Sequence, residues 1–204
     1  MSRTFLFLLI SILLASLSWM VREPDADERI LAEATRLQTR SDLQAKELRQ
    51  GADHWGHALA ELGASEWMRV NAQGLELERL RTGATYLGFI GDSLVCWSGQ
   101  LPANTDLLAT APTAAQITLP DAVYQHAMTA IGTLHLHALA PVWTTPLIEN
   151  RYIQRGFHPI LETPNGLMAQ PISAAGPLVV DASGQPLVRL AWRDGALDVG
   201  PWIL

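Results

Sequence analysis

The sequence predicts an α+β fold, in which an N-terminal transmembrane helix and a long amphipathic helix precede a mostly antiparallel sheet with one internal helix. Three observations predict it: an uncharged amino-terminal segment, a proline-free stretch of helical periodicity after Pro24, and short apolar runs separated by turn residues from Ala84 onward. The 204 residues, 49% of them hydrophobic, are enough for one domain with a buried core.

The uncharged segment "TFLFLLISILLASLSWMV" occupies residues 4–21. As an α-helix it would be about 27 Å long, close to the hydrocarbon thickness of a bilayer, so we expect a transmembrane helix or signal anchor. Arg3 precedes it and the acidic "REPDADE" follows it. This asymmetry predicts that residues 1–3 are cytoplasmic and that the bulk of the chain is periplasmic, held in the inner membrane by a single pass. A cleaved signal peptide, with Ser16 and Ser18 before the cut, is the alternative.

Residues 22–63 are predicted to form a juxtamembrane amphipathic helix, because they are rich in alanine, leucine, glutamate, glutamine and arginine. Steps of three and four place Ser41 and Gln44 in the middle of its apolar face. Either this helix packs on its own domain, or residues 24–62 pair with the same helix of a second subunit in a homodimer, with the polar positions specifying the register. The apolar members of the face are Ile30, Ala34, Leu37, Leu48, Ala52, Trp55, Leu59 and Leu62.

Residues 64–204 are predicted to form an extracytoplasmic α+β domain with about five or six strands. Hairpin turns are predicted at Gly91-Asp92 and Ile131-Gly132, because these residues suit the φ angles of tight turns, and a third turn is predicted in "DASGQ", residues 181–185. Asp92 and Asp181 are accordingly turn formers. The segment 100–116, rich in proline, alanine and threonine, is predicted to be a loop.

The predicted internal helix lies in "TTPLIENRYIQRG", residues 144–156. Thr145 suits the N-cap and Pro146 the first helical position. Gly156 suits a left-handed stop, and Arg155 complements the negative carboxyl end of the helix. Local start and stop signals therefore agree on a helix here.

Composition and motifs exclude several classes of function. The formal charge is −6 and the 14 basic residues are scattered, which argues against a nucleic-acid partner. Cys96 is the only cysteine, so an intramolecular disulfide and a CxxC site are excluded. The sequence has no GxSxG, HExxH, GxxxxGK[ST] or GxGxxG motif. We therefore expect neither enzymatic activity nor a cofactor.

His135 and His137 lie two residues apart on a predicted strand, so both side chains leave the same face, as two metal ligands would. His126 on the neighbouring strand and His158 are the available third and fourth ligands. The alternative is that Leu134, Leu136 and Ala138 face the core while the histidines lie on the wetter face. We favour this second interpretation and predict no metal site.

Cys96 lies in "SLVCW", where strand alternation places it opposite Val95 and Trp97. A nucleophilic cysteine needs a base or a helix N-terminus to lower its pKa, and neither is adjacent in the sequence. We therefore predict that Cys96 is a buried, inert thiol and that Trp97 anchors the core.

The hairpin "DSLVCWSGQLP", the segment "APVWTTPLIENRYIQRGF" and the late turn "DASGQPL", together with the amino-terminal helices, resemble the extracytoplasmic sensor region of bacterial membrane-bound two-component sensor histidine kinases. The resemblance covers nearly the whole chain, and its motifs are short. The family-motif positions are Trp97, Pro102, Pro146, Asn150, Tyr152, Ile153 and Phe157.

The resemblance implies a PAS-like or Cache-like sheet and a signal-input role without the kinase domain, with residues 201–204 at the start of a second membrane helix. It implies an unknown small-molecule or envelope ligand on the face covered by the loop of residues 100–120, near Trp97, Tyr124 and Trp143. The alternative for these three aromatic residues is a place in the core, and we favour it. Such a ligand would shift the 24–62 helix between two positions. A stand-alone membrane-anchored periplasmic binding or interaction module without enzymatic activity is the alternative function.

Overall fold

The structure is a computed structural model, which describes residues 7, 10–13, 25–62, 66, 72–99, 101–105, 108, 114–146, 148–149 and 155–193. The predicted membrane span, residues 4–21, lies largely outside these ranges. None of the helices within the described ranges is long and apolar enough to cross a membrane. The membrane anchor therefore stays a prediction.

The long helix α1 runs from Ala26 to Leu62 and confirms the predicted helix. It begins with a reciprocal capping arrangement: the Glu28 N–H donates to Asp25 Oδ1 over 2.8 Å, and the Asp25 N–H donates to Glu28 Oε2 over 3.3 Å. Its buried residues recur at helical spacing, as the sequence pattern predicts. They are Ala34, Leu37, Ser41, Gln44, Leu48, Gly51, Ala52, Gly56 and Leu59.

The first sheet consists of β1 (Thr85–Ile90), β2 (Ser93–Trp97), β3 (Gln116–Leu119), β4 (Ala122–Ile131), β5 (Leu134–Thr144) and β6 (Gly156–Phe157). The strand order is β2-β1-β5-β4-β3, β6 pairs with the end of β5, and all of these pairings are antiparallel. Gly91 lies in the β1–β2 turn and Gly132 in the β4–β5 turn, with φ angles of 57° and 61°. The turn at Gly91-Asp92 is thereby confirmed, and the second predicted turn is present one residue later than predicted, at Gly132-Thr133.

The second sheet consists of β7 (Leu167–Gln170), β8 (Leu178–Val180) and β9 (Pro186–Trp192), in the order β7-β9-β8 and again antiparallel. Between β8 and β9, Asp181 Oδ1 accepts hydrogen bonds from the Ser183 N–H over 2.8 Å, the Ser183 hydroxyl over 2.6 Å and the Gln185 N–H over 2.8 Å. This confirms the third predicted turn and the role of Asp181 in it. The described strands outnumber those predicted, because the sequence pattern missed the short strands β3, β6 and β7.

A second helix, α2 (Ala72–Thr82), lies beside α1, and a short 3-10 helix spans Pro159–Leu161. Arg81 of α2 forms ion pairs with Glu78, over 2.7 Å, and with Glu47 of α1, over 3.6 Å. These pairs are on the surface and contribute little to stability.

α1 packs across one face of the first sheet and reaches the second. Leu48, Ala52 and Leu59 join a buried cluster that includes Leu136 of β5. Ala34 and Leu37 join another buried cluster, formed mainly with the second sheet. The structure therefore shows the first of the two interpretations, in which this helix packs on its own domain. A homodimer through α1 stays a prediction, and it would have to use a surface of the helix other than this buried face.

The opposite face of the first sheet carries a third buried cluster, which includes Leu87, Phe89, Tyr124 and Leu139. Leu108, from the segment predicted to be a loop, is fully buried in this cluster. Part of that segment therefore covers this face, as predicted, while β3 begins where the predicted loop ends.

The prediction of an internal helix in "TTPLIENRYIQRG" is wrong at both ends of the segment. Residues 145–146 and 148–149 are not helical, and Gly156, the predicted stop, lies in β6. Gly156 pairs with Thr144, whose hydroxyl donates to the Gly156 carbonyl over 3.1 Å. This pairing outweighs the local capping signals, because helix propensity is a weak preference that tertiary contacts override. Residues 150–154 lie outside the described residues.

Candidate functional site

Cys96 takes its predicted buried position, whereas Trp97 does not take the core position predicted for it. They lie on opposite faces of β2, as alternation requires, but Cys96 is 3% exposed and Trp97 is 47% exposed. Cys96 packs beneath α1 in the cluster that contains Leu48 and Tyr86. The prediction that Trp97 anchors the core is therefore wrong, because alternation separates two faces without indicating which one the helix covers.

The Cys96 thiol is buried, as predicted. Burial raises its pKa to about 12, against a smaller opposing effect of a hydrogen bond with the Gly88 main chain. Since the thiolate is the nucleophilic form of cysteine, this thiol is unreactive at neutral pH.

Tyr124 and Trp143, the other aromatic residues of the predicted ligand face, lie in separate surroundings. Tyr124 is buried in the cluster with Leu87, and its hydroxyl donates to the Asp121 carboxylate over 2.8 Å. Trp143 is 8% exposed and packs edge-to-face on Phe157, with 4.8 Å between ring centroids. The three predicted aromatic residues therefore do not form one surface.

Trp143 lines a groove of about 360 Å³ between the two sheets. Val123 of β4 and Leu187 of β9 add apolar walls, and the side-chain amides of Gln116 and Gln170 add polar groups. This volume is at the lower end of the range for small-molecule sites, which combine apolar walls with a few polar groups. The groove is therefore a candidate ligand site of the described structure.

Arg155 is the sole charged residue that lines the groove in the described part of the chain. Its Nε donates to Glu149 Oε1 over 3.1 Å, and the two side chains are 59% and 48% exposed. Sequence reasoning assigned Arg155 to the end of a helix and missed this site. No local pattern could have found the groove, because its lining comes from strands of two sheets that are distant in sequence.

His126 and His137 form a buried hydrogen-bonded pair on the face covered by Leu108. His126 Nδ1 lies 2.6 Å from the Ala114 carbonyl oxygen, so this nitrogen carries the donated proton, and His126 Nε2 accepts from His137 Nδ1 over 3.0 Å. Burial lowers the pKa of both side chains, that of His137 to about 4 with added repulsion from His126 and His135. Both rings are therefore neutral at pH 7.

Of the four candidate metal ligands, only His126 and His137 come together. His135 is exposed, and His158 lies beside Gly83, away from the buried pair. Across the residues that the structure describes, no three histidine, cysteine, aspartate or glutamate side chains are placed to hold a metal ion. The prediction that the histidines lie on a wetter face fits His135 and is wrong for His137, which loop residues cover.

The family-motif positions divide between the core and the surface. Pro102 is buried, Pro146 is half-buried in a non-helical segment, and Phe157 lies in β6 against Trp143. Asn150 and Tyr152 lie outside the described residues.

Comparisons with known proteins identify no relative. No protein-family model, no curated protein and no solved structure gives a significant match to the chain. The resemblance to sensor histidine kinases therefore stays a prediction from the quoted motifs.

Proposed function

We propose that this chain is a membrane-anchored extracytoplasmic sensor, the signal-input domain of a two-component histidine-kinase type system. In this proposal a ligand in the groove between the sheets changes their relative position, and α1 carries the change toward the membrane. The arrangement of α1 against both sheets supports the proposal.

One turn of α1 is hydrogen-bonded to both sheets, and this observation carries the proposal. The side-chain amide of Gln38 exchanges two hydrogen bonds of 2.9 Å with the main chain of Val180, in the second sheet. Ser41 accepts from the side-chain amide of Gln125, in the first sheet, over 2.9 Å at its carbonyl and 2.5 Å at its hydroxyl. A change in the spacing of the sheets therefore acts on a single turn of the helix.

The free energy needed to shift the equilibrium between two arrangements of the sheets is modest. A ligand that binds one arrangement about a hundredfold more tightly than the other shifts the equilibrium by about 2.7 kcal/mol. A hydrogen bond contributes about 1 kcal/mol net, so exchanging a few of the bonds around Gln38 and Ser41 involves energies of the same size.

Location is tested by labelling the Asp92→Cys variant in intact cells with a maleimide that does not cross the inner membrane. Asp92 lies exposed in the β1–β2 turn, whereas the native Cys96 is buried, so the wild-type chain is the unlabelled control. We expect labelling before cell lysis and recovery of the chain with the membranes. Labelling only after lysis, or recovery in the soluble fraction, would contradict the proposal.

Coupling is tested by hydrogen exchange of α1 residues 36–44 with and without a groove ligand, in the wild-type chain and in Gln38→Ala. We expect the ligand to change exchange in the wild-type segment and to change it less in the variant. A ligand effect confined to the groove strands would instead favour the alternative, a stand-alone anchored periplasmic binding module.

A further inference from the structure

We infer that the groove between the two sheets binds a small anionic compound with an apolar or aromatic body, whose negative group pairs with Arg155. This inference rests on the proposed sensor function, for which it names the class of ligand.

The charge of the groove favours an anion. Among the described lining residues Arg155 is the one cation, and there is no acidic side chain. The guanidinium has five N–H donors in a planar fork, and the bond to Glu149 engages its Nε. The terminal nitrogens are the groups that bind a carboxylate or sulfonate in the bidentate manner.

Glu149 limits this attraction. Its carboxylate lies 3.1 Å from Arg155 Nε but does not line the groove, so it neutralises part of the positive charge without blocking the site. An incoming anion is attracted by Arg155 and repelled by Glu149, and removing either charge shifts its affinity in opposite directions.

The rest of the groove fits an apolar body. Trp143, Val123 and Leu187 form apolar walls, and the amides of Gln116 and Gln170 can orient a ligand by hydrogen bonds. A volume of about 360 Å³ admits a compound of one or two rings. The combination of one cation with these walls therefore selects an amphipathic anion.

The test compares 1-naphthaleneacetate with its neutral amide, 1-naphthaleneacetamide, by saturation-transfer NMR titration of the full-length chain in detergent. The two probes share one aromatic body and differ in charge. We expect the anion to bind about fivefold more tightly than the amide, as for an ion pair of about 1 kcal/mol at a half-exposed site. Arg155→Gln should remove this preference, and Glu149→Gln should increase it, while the affinity for the amide changes less than that for the anion in both variants.

Two further variants locate the binding. Ala169→Phe places a ring in the groove and should abolish binding of both probes. Leu77→Gln removes an exposed leucine of α2, 66% exposed and away from the groove, and should leave both affinities unchanged. Circular dichroism of each variant verifies the fold, and since Arg155 and Glu149 are exposed, their variants test the inference even if Ala169→Phe misfolds.

Three results would each overturn the inference: equal affinities for the anion and the amide, an anion preference that survives Arg155→Gln, or binding that survives in a folded Ala169→Phe variant. These measurements use purified chain and depend neither on membrane location nor on α1. Failure of the labelling experiment with Asp92→Cys therefore refutes the sensor function alone, whereas failure of the titration refutes the ligand class alone.

Discussion

Gly51 allows α1 to lie directly on Tyr86, and replacing it with alanine should destabilise the protein although alanine favours helix. A Cβ atom at position 51 would lie 2.2 Å from the Tyr86 hydroxyl oxygen and 3.2 Å from the adjacent ring carbon. The Tyr86 side chain is 1% exposed and cannot turn into solvent. The ring or the helix must therefore move by more than an ångström to restore an ordinary contact.

The expected loss follows from two opposing effects. Overpacking a core costs about 1–3 kcal/mol, and replacing a helical glycine with alanine returns about 1 kcal/mol. Because the clash involves a rigid ring, we expect Gly51→Ala to lower the free energy of unfolding by about 1–2 kcal/mol, or the melting temperature by about 3–6 °C. Tyr86→Phe removes the clashing oxygen, which makes no hydrogen bond of normal geometry among the described residues.

The assay is a double-mutant cycle measured by guanidinium unfolding of the full-length chain in mild detergent. In the Tyr86→Phe background, Gly51→Ala should leave the free energy of unfolding unchanged or raise it. The coupling energy between the two positions should therefore be at least about 1–2 kcal/mol. Ala32→Gly, at an exposed position of α1, is the control for helix propensity and should cost about 0.5–1 kcal/mol in both backgrounds. Equal effects of Gly51→Ala in the two backgrounds would refute the reasoning.

Three further predictions concern stability. Burial holds the pKa of His137 at about 4, below its usual 6.5, so the unfolded chain binds more protons than the folded chain as the pH falls. About 3 kcal/mol of the free energy of unfolding should therefore be lost between pH 7 and pH 4. Unfolding titrations should show a flatter pH profile for His137→Leu than for the wild type, and parallel profiles would count against this. Trp97→Ala should cost under about 1 kcal/mol and Trp143→Ala about 3–5 kcal/mol in the same titrations, so a large loss for Trp97→Ala would contradict its exposed position. Asp181→Ala should lower the melting temperature by several degrees, because it removes the hydrogen bonds of the β8–β9 turn to the Ser183 and Gln185 N–H groups at about 1 kcal/mol net each, while Asp181→Asn should retain most of the stability.

The sequence predicts the parts of the fold that local chemistry determines. Glycine at positions 91 and 132 predicts the β1–β2 and β4–β5 hairpins of the first sheet, because few other residues adopt a positive φ angle. The spacing of apolar residues predicts α1 to within four residues at its start and one at its end. Each of these features depends on residues that are neighbours in the chain.

The sequence fails where distant residues decide. Gly156 carries the signal of a helix end, yet its pairing with Thr144 makes it part of a strand. Alternation along β2 cannot distinguish Cys96 from Trp97, because the choice depends on where α1 lies. The groove joins Arg155 to strands of both sheets, so only the tertiary structure reveals it.

The polar centre of α1 has a consequence for the proposed response. In the sequence, Ser41 and Gln44 are candidates for setting the register of a dimer. In the structure, Ser41 instead accepts a hydrogen bond from Gln125 within the same domain. The buried Gln44 amide and the Gln125 carbonyl oxygen find no hydrogen-bond partner among the described residues, at a cost of about 1–3 kcal/mol each. An apolar pair here would hold the helix more firmly in one position. In the proposed response, these groups gain partners when α1 moves, which lowers the difference in affinity that a ligand must supply.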